Sequence, residues 1–175
     1  MFLIFLVKTQ EVDIMNYLVA DYSNKVHAEA ILVLMDVYSR DHMGGGKPLS
    51  QKAKQFLIGE MAVRSYAFSI LAFSDDIPVG LVNCFESFST FACAPLVNVH
   101  DMVVHPNYRG QGIGLHLLEN VVEVAQTIGA CKITLEVLQG NEVAKNLYRK
   151  IGFSCYELDP KVGSAEFWEK KIDLV

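Results

Sequence analysis

No cysteine in this chain is spaced for a metal or a dithiol centre. The four cysteines, Cys84, Cys93, Cys131 and Cys155, stand far apart, form no C-x-x-C, and have no histidine at metal-ligand spacing. No metal is therefore expected, and the thiols read as reduced and mostly buried in a cytoplasmic protein. Basic residues are also few: 15 Lys and Arg stand against 20 Asp and Glu, a net charge of −5. A nucleic-acid surface is normally basic, so no nucleic-acid partner is expected. The acidic balance fits a cationic acceptor such as an amine. There is no Gly-Lys-Ser/Thr, so a nucleotide P-loop is excluded. Internal repeats and low-complexity stretches are missing.

Long apolar runs are missing too. The run from Met1 to Val7 ends at Lys8, lacks a positive leader and a small-residue cleavage site, and is too short for a bilayer. No membrane association is expected. The run reads either as a core strand or as part of an extension, residues 1–14, ahead of an internal start at Met15. At 175 residues, with 51% apolar, the chain has the length and core of a single domain, residues 1–175.

What the chain does have is VHPNYRGQGIG, from Val104 to Gly114. It joins the apolar run Met102, Val103, Val104 to an amphipathic helical run. Arg109 stands at its centre, followed by Gly110, Gly112 and Gly114. Such a turn leaves backbone N–H groups uncovered, and the helix behind it adds its own unpaired first-turn donors and positive dipole end. The pattern predicts a socket for an anion such as a phosphate or pyrophosphate. A plain surface turn needs fewer glycines. The dinucleotide fingerprint G-x-G-x-x-G places its third glycine at Leu115, where there is none. Glu136 lies about the right distance on for that fingerprint's acid, but inside the run Ile133 to Leu138 and not at its end.

Periodicity and breakers predict the remaining elements. Met15 to Asp21 reads as a strand. Ser23 or Asn24 caps a helix with Ala28, Ile31, Leu32, Met35 and Tyr38 on one face. A breaker loop from Met43 to Pro48 follows, and Ser50 caps a second helix carrying Ala53, Phe56, Leu57 and Met61. Tyr66–Phe73 and Val79–Phe88 read as strands joined by a hairpin at Asp75–Pro78. Phe88–Pro95 reads as an irregular apolar loop and Val97–Val104 as the strand feeding the socket. The next helix buries Ile113, Leu117, Leu118, Val121 and Ala125 and ends at Gly129. Cys131–Leu138 is a strand. Asn141 caps a helix with Val143, Leu147 and Ile151 inward, ended by Gly152. Phe153–Leu158 and Ala165–Ile172 form a final strand pair. The result is an α/β (α+β) order, β-α-α-β-β-β-α-β-α-β-β, with a mixed sheet and helices on its faces.

The segment from Val104 to Gly114 resembles the acetyl-CoA loop of the GNAT superfamily of N-acetyltransferases, V-x-P-x-[YF]-R-G-x-G-[IV]-G, at every fixed position. A second block of that family, N-x-x-A-x-x-L-Y-x-K-x-G-F, is met by Asn141, Ala144, Leu147, Tyr148, Lys150, Gly152 and Phe153. The resemblance runs from about Val97 to Phe153. It implies a GNAT-like, mostly antiparallel central sheet, acetyl-CoA as co-substrate, and a small-molecule or peptide amine as acceptor. It places the pyrophosphate on Arg109, Gly110, Gln111, Gly112, Ile113 and Gly114, with the N–H of Leu115 helping. It lays the pantetheine arm along the backbone of Met102, Val103 and Val104, and has Asn141 contact that arm beside its role as a cap.

The resemblance also makes Tyr148 the candidate proton donor to the leaving thiolate, since a phenol with a pKa near 10 is protonated at neutral pH. A tyrosine that only packs beneath the cofactor is the plainer reading. The base is open. Asp101 ranks first, as base or as anchor for a cationic acceptor, and His100 second. Neighbours on a strand face opposite ways, so only one of the two is expected in the cleft. Glu86, Glu136 and ordered water are the other options. The loop of Gly44, Gly45 and Gly46, preceded by Arg40, Asp41 and His42, is a lid over the acceptor or a plain connector. Phe88–Pro95 lines the acceptor pocket or makes a homodimer contact. Against the enzyme stand a non-catalytic acyl-CoA-binding regulator and a dinucleotide binder.

Overall fold

Asn24 and Ser50 set the first two helices. Each side chain accepts a backbone N–H of the first turn, Val26 at 2.9 Å and Ala53 at 3.1 Å. The helices are α1 (Lys25–Arg40) and α2 (Gln51–Ala62). This computed structural model describes residues 14–172. The expectations for Met1 to Val7 and for an extension over 1–14 fall outside the described residues, apart from Ile14.

The strands are β1 (Met15–Val19), β2 (Ala67–Ser74), β3 (Ile77–Ser89), β4 (Ala94–Val104) and β5 (Ile133–Leu135), in the spatial order β1-β2-β3-β4-β5. The first four are antiparallel neighbours, and β5 runs parallel to β4. Helices α3 (Ile113–Thr127) and α4 (Glu142–Lys150) follow β4 and β5. Two apolar layers sandwich the sheet. On one face Ile113, Leu117, Leu118, Val121 and Ala125 of α3 pack on Ile70, Val82, Val97 and Val99. On the other, Ala30, Ile31 and Leu34 of α1 pack on Leu71, Leu81 and Val103. This is the mixed, mostly antiparallel sheet with flanking helices that the residue pattern implies. Among the described residues no helix is long and apolar enough to cross a membrane.

Several local expectations are corrected. Phe88–Pro95 is no irregular loop: the β3–β4 ladder continues through Phe88↔Pro95 and Ser89↔Ala94. Pro95 is tolerated because β5 pairs only with Val97–Val99, so its missing N–H removes no β4–β5 bond. The strand over Cys131–Leu138 shortens to Ile133–Leu135, paired on one side only. Phe153–Leu158 and Ala165–Ile172 form no strands; the isolated bridge there, Glu157↔Ser164, joins the first segment to the residue just before the second. Their apolar residues Tyr156, Leu158, Phe167 and Trp168 are exposed. Alternation marks a strand only where a sheet covers one face, and a lone two-stranded ribbon is marginal. On α4 Val143 is exposed rather than inward. On α1 the fully inward positions are Ala30, Ile31 and Leu34, one step round from the expected stripe. Of the four cysteines only Cys84 is buried.

Candidate functional site

The turn after β4 is built around two glycines with positive φ, Gly110 (80°) and Gly112 (82°). Both positions are strained for an L side chain. Gly112 is the N-cap of α3 and offers no side chain to it. The consequence is a run of bare donors: among the described residues, no acceptor lies within reach of the N–H groups of Gly110, Gln111, Gly112, Ile113 and Gly114. The expected help from Leu115 is absent, because its N–H donates to the carbonyl of Gly112 at 2.9 Å, tightening the first turn. Gly114 serves a different purpose. A Cβ there would stand 2.9 Å from Leu147 Cδ2 and 3.2 Å from Met102 Cε, so its bareness lets α4 and β4 close on the start of α3.

Arg109 does not turn into this socket. Its Nε donates to the carbonyl of Val104 at 3.1 Å, and Nη2 donates to Asp41 Oδ2 at 2.8 Å. The Asp41 carboxyl lies below the usual range, first through the Met43 N–H and then through Arg109. The Asp41 carbonyl also accepts the N–H groups of Gly44 and Gly46. The glycine-rich α1–α2 connection is thus a tied turn pinned to the socket by Arg109.

Beside the socket β4 has an open edge. Beyond Val99 no β5 residue pairs with it. His105 donates its N–H to Val79 on the β3 side. The alternation of an antiparallel ladder then turns the backbone groups of Met102 and Val104 to the open edge, and those of Val103 toward β3. The Val104 carbonyl is the one Arg109 occupies. Tyr148 approaches from α4, with its hydroxyl 3.9 Å from Met102 Sδ. Burial, and secondarily Tyr38, push its phenol up to about 12. Asn141 caps α4, accepting the Ala144 N–H at 3.2 Å.

A bulge decides the orientation of His100 and Asp101. Asn83 pairs with Asp101 and Cys84 with Val99, so His100 is an extra residue in β4. Val97 and Val99 face α3; without the bulge Asp101 would too. With it, Asp101 meets Asn83 on the α1 face, Asn83 Nδ2 donating to Asp101 Oδ2 at 3.0 Å. The His100 ring packs edge-on against Phe85, 5.3 Å between centroids, on that same face. The expectation that only one of the pair faces that side is therefore overturned. Glu86 is exposed near the far end of β3, and Glu136 lies beside Asn98 at 3.3 Å, so neither joins the cluster.

Sequence reading missed Tyr38, Ser69, Asn83 and Tyr22. The Tyr38 phenol is pushed up by burial and then by the charges of Asp101 and Asp41. Ser69 and Asn83 carried a usable signal: polar residues inside apolar strands must find partners when buried.

Comparison with known proteins gives the family and the fold. The pattern of the Acetyltransferase (GNAT) family matches residues 31–153. Thialysine N-epsilon-acetyltransferase of Mus musculus is 45% identical over 56 residues, 32% of this chain and 33% of that protein. The chain thus spans about a third of the length of the first curated relatives it matches. N-alpha-acetyltransferase 30 of Schizosaccharomyces pombe is 27% identical over 111 residues, 63% of this chain and 73% of the relative. Among solved structures, an aminoglycoside N-acetyltransferase in complex with CoA superposes with a TM-score of 0.72 at 17% identity, covering 94% of this chain and 99% of that one. At that identity the likeness shows the fold.

Proposed function

The chain belongs to the GNAT family of acetyltransferases, and on that premise we propose that it transfers an acetyl group from acetyl-CoA to a primary amine by direct attack in a ternary complex. The observation that carries this reading is the run of unpartnered N–H donors from Gly110 to Gly114 beside an unpaired strand edge. It fits an elongated ligand with a diphosphate at one end and amide groups along its length.

Acetyl-CoA supplies the activated acyl thioester. The donors from Gly110 to Gly114 hold its pyrophosphate, and Arg109 can add charge once it leaves Asp41. Met102 offers backbone groups to the pantetheine arm, with Val103 within the strand, Val104 shared with Arg109, and Asn141 at the entrance to α4. Tyr148, protonated throughout the neutral range, donates a proton to the departing thiolate. Asp101 draws the cationic acceptor to the α1 face and takes a proton from its amine, with His100 alongside it. The described residues act as one acetyltransferase domain.

The test is thiol release from acetyl-CoA against spermidine, thialysine, sisomicin, glucosamine 6-phosphate and an alanyl peptide, together with thermal shift. CoA at a hundred times its dissociation constant stabilises by about 2.7 kcal/mol. A shift with CoA and turnover of an amine are expected. A CoA shift with no turnover would make the chain an acyl-CoA-binding regulator, and a shift only with NAD would overturn the assignment.

A further inference from the structure

A chain of buried and part-buried hydrogen bonds leads away from Asp101 along the α1 face of the sheet, across β3 and β2 to the β1–α1 connection. Asn83 Nδ2 donates to Asp101 Oδ2 at 3.0 Å, and its second amide proton points at Met35 Sδ, 3.3 Å away. Ser69 Oγ donates to Asn83 Oδ1 at 2.7 Å. Tyr22 Oη lies 3.0 Å from Ser69 Oγ. Ser69 is fully buried and Asn83 is 2% exposed. The residues come from the β1–α1 connection, β2, β3 and β4, so no local pattern explains their meeting.

The direction of every proton in this chain follows from the carboxylate. A flipped Asn83 amide would set its carbonyl oxygen against Asp101 Oδ2, so the NH₂ must face Asp101. The amide oxygen then faces Ser69, whose single proton must go to it. Ser69 is left with lone pairs only, so Tyr22 must donate to it. Burial pushes the Tyr22 phenol up, which keeps that donor protonated. Three side chains therefore form one polarised series ending on one oxygen of Asp101. Among the described residues no donor reaches Oδ1, and no side-chain oxygen is both buried and without a partner. Oδ1 is thus the oxygen open to solvent.

We propose that Tyr22, Ser69 and Asn83 are positioning residues for Asp101. They hold its Oδ2 so that Oδ1 stays aimed at the acceptor amine. Because this rests on Asp101 acting on the acceptor, the test separates the two ideas. Steady-state kinetics use acetyl-CoA and the amine of the panel above that turns over fastest. Asp101→Asn should lower kcat at least tenfold, which carries the reading of Asp101. Ser69→Ala should also lower kcat about tenfold, with KM for acetyl-CoA within twofold of the parent. Ser69→Thr, which restores the hydroxyl, should recover most of that loss. Placed in the Asp101→Asn background, Ser69→Ala should change kcat less than twofold. Tyr22→Phe, the mildest cut, at the partly exposed end, should move kcat the same way by about threefold and leave CoA binding unchanged.

Parental kcat in both Ser69→Ala and Tyr22→Phe, with Asp101→Asn impaired, would overturn the positioning role while leaving Asp101 in place. An equal fall on adding Ser69→Ala in both backgrounds would do the same, since the effect would not pass through Asp101. Parental kcat in Asp101→Asn would remove the carboxylate, and the chain with it.

Discussion

Asp41 and Arg109, 68 residues apart in sequence, are joined by an ion pair of 2.8 Å that ties the glycine-rich α1–α2 turn to the loop holding the bare N–H donors. The guanidinium is half exposed, so the pair itself contributes at most about 1 kcal/mol. Its effect is geometric: one cation bridges the strand end, the α1–α2 turn and the socket. Arg109→Ala and Asp41→Asn should therefore be non-additive in urea unfolding, the double variant being little worse than Asp41→Asn alone. Strictly additive losses would show that the two loops are not coupled through this contact.

Gly112→Val should abolish CoA binding and leave the fold near intact. There is room for a side chain at Gly112, the nearest atom to an added Cβ being His116 Nε2 at 4.0 Å. The obstacle is φ of 82°, which a β-branched residue resists. Calorimetry with CoA and a melting curve check both parts. A variant that binds CoA like the parent would place the pyrophosphate elsewhere.

Tyr148→Phe should lower kcat by about 10²–10⁴-fold, the usual range for losing a general acid, with CoA affinity kept. The ring remains against Phe153, 5.9 Å between centroids, so packing survives. Since the phenol is pushed up to about 12, the parent should lose no activity through Tyr148 ionisation as pH rises to 10. Near-parental turnover in the Phe variant would mean that water protonates the thiolate.

Asp36 predicts part of the acid sensitivity. Arg40, then Lys54, with the Leu49 N–H, hold its carboxyl down at about 2. A carboxyl depressed in the folded state stabilises above its unfolded value, near 3.9, and that contribution disappears as pH falls toward 2. The melting temperature of the parent should drop between pH 4 and 2, and that of Asp36→Asn should start lower and drop less. Parallel curves would mean that the contact adds nothing to folding.

Much of the socket was legible because its determinants are local. Gly110 and Gly112 serve backbone angles of their own, and Asn24, Ser50 and Asn141 cap helices a few residues away. The buried face of α3 follows from helical spacing alone. Leu115 was misjudged because spacing cannot show that a first-turn N–H bends back to Gly112. Arg109 was aimed at the anion because its carboxylate partner stands so far away in sequence.

The order of strands and helices as far as α4, the donor loop and Tyr148 on its helix were thus determined by the sequence itself, through short-range sterics and periodicity. Tertiary structure alone decided which way Asp101 faces. One extra residue at His100 reverses the alternation of β4, and only pairing with β3 reveals it. It also decided what holds Asp101, since Tyr22, Ser69 and Asn83 meet only when three neighbouring strands stack in register. It set the open edge of β4 as well, because β5 stops at Leu135 and leaves the backbone of Met102 unpaired on that side. Hydrogen bonds between strands depend on register, and register is a property of the folded sheet.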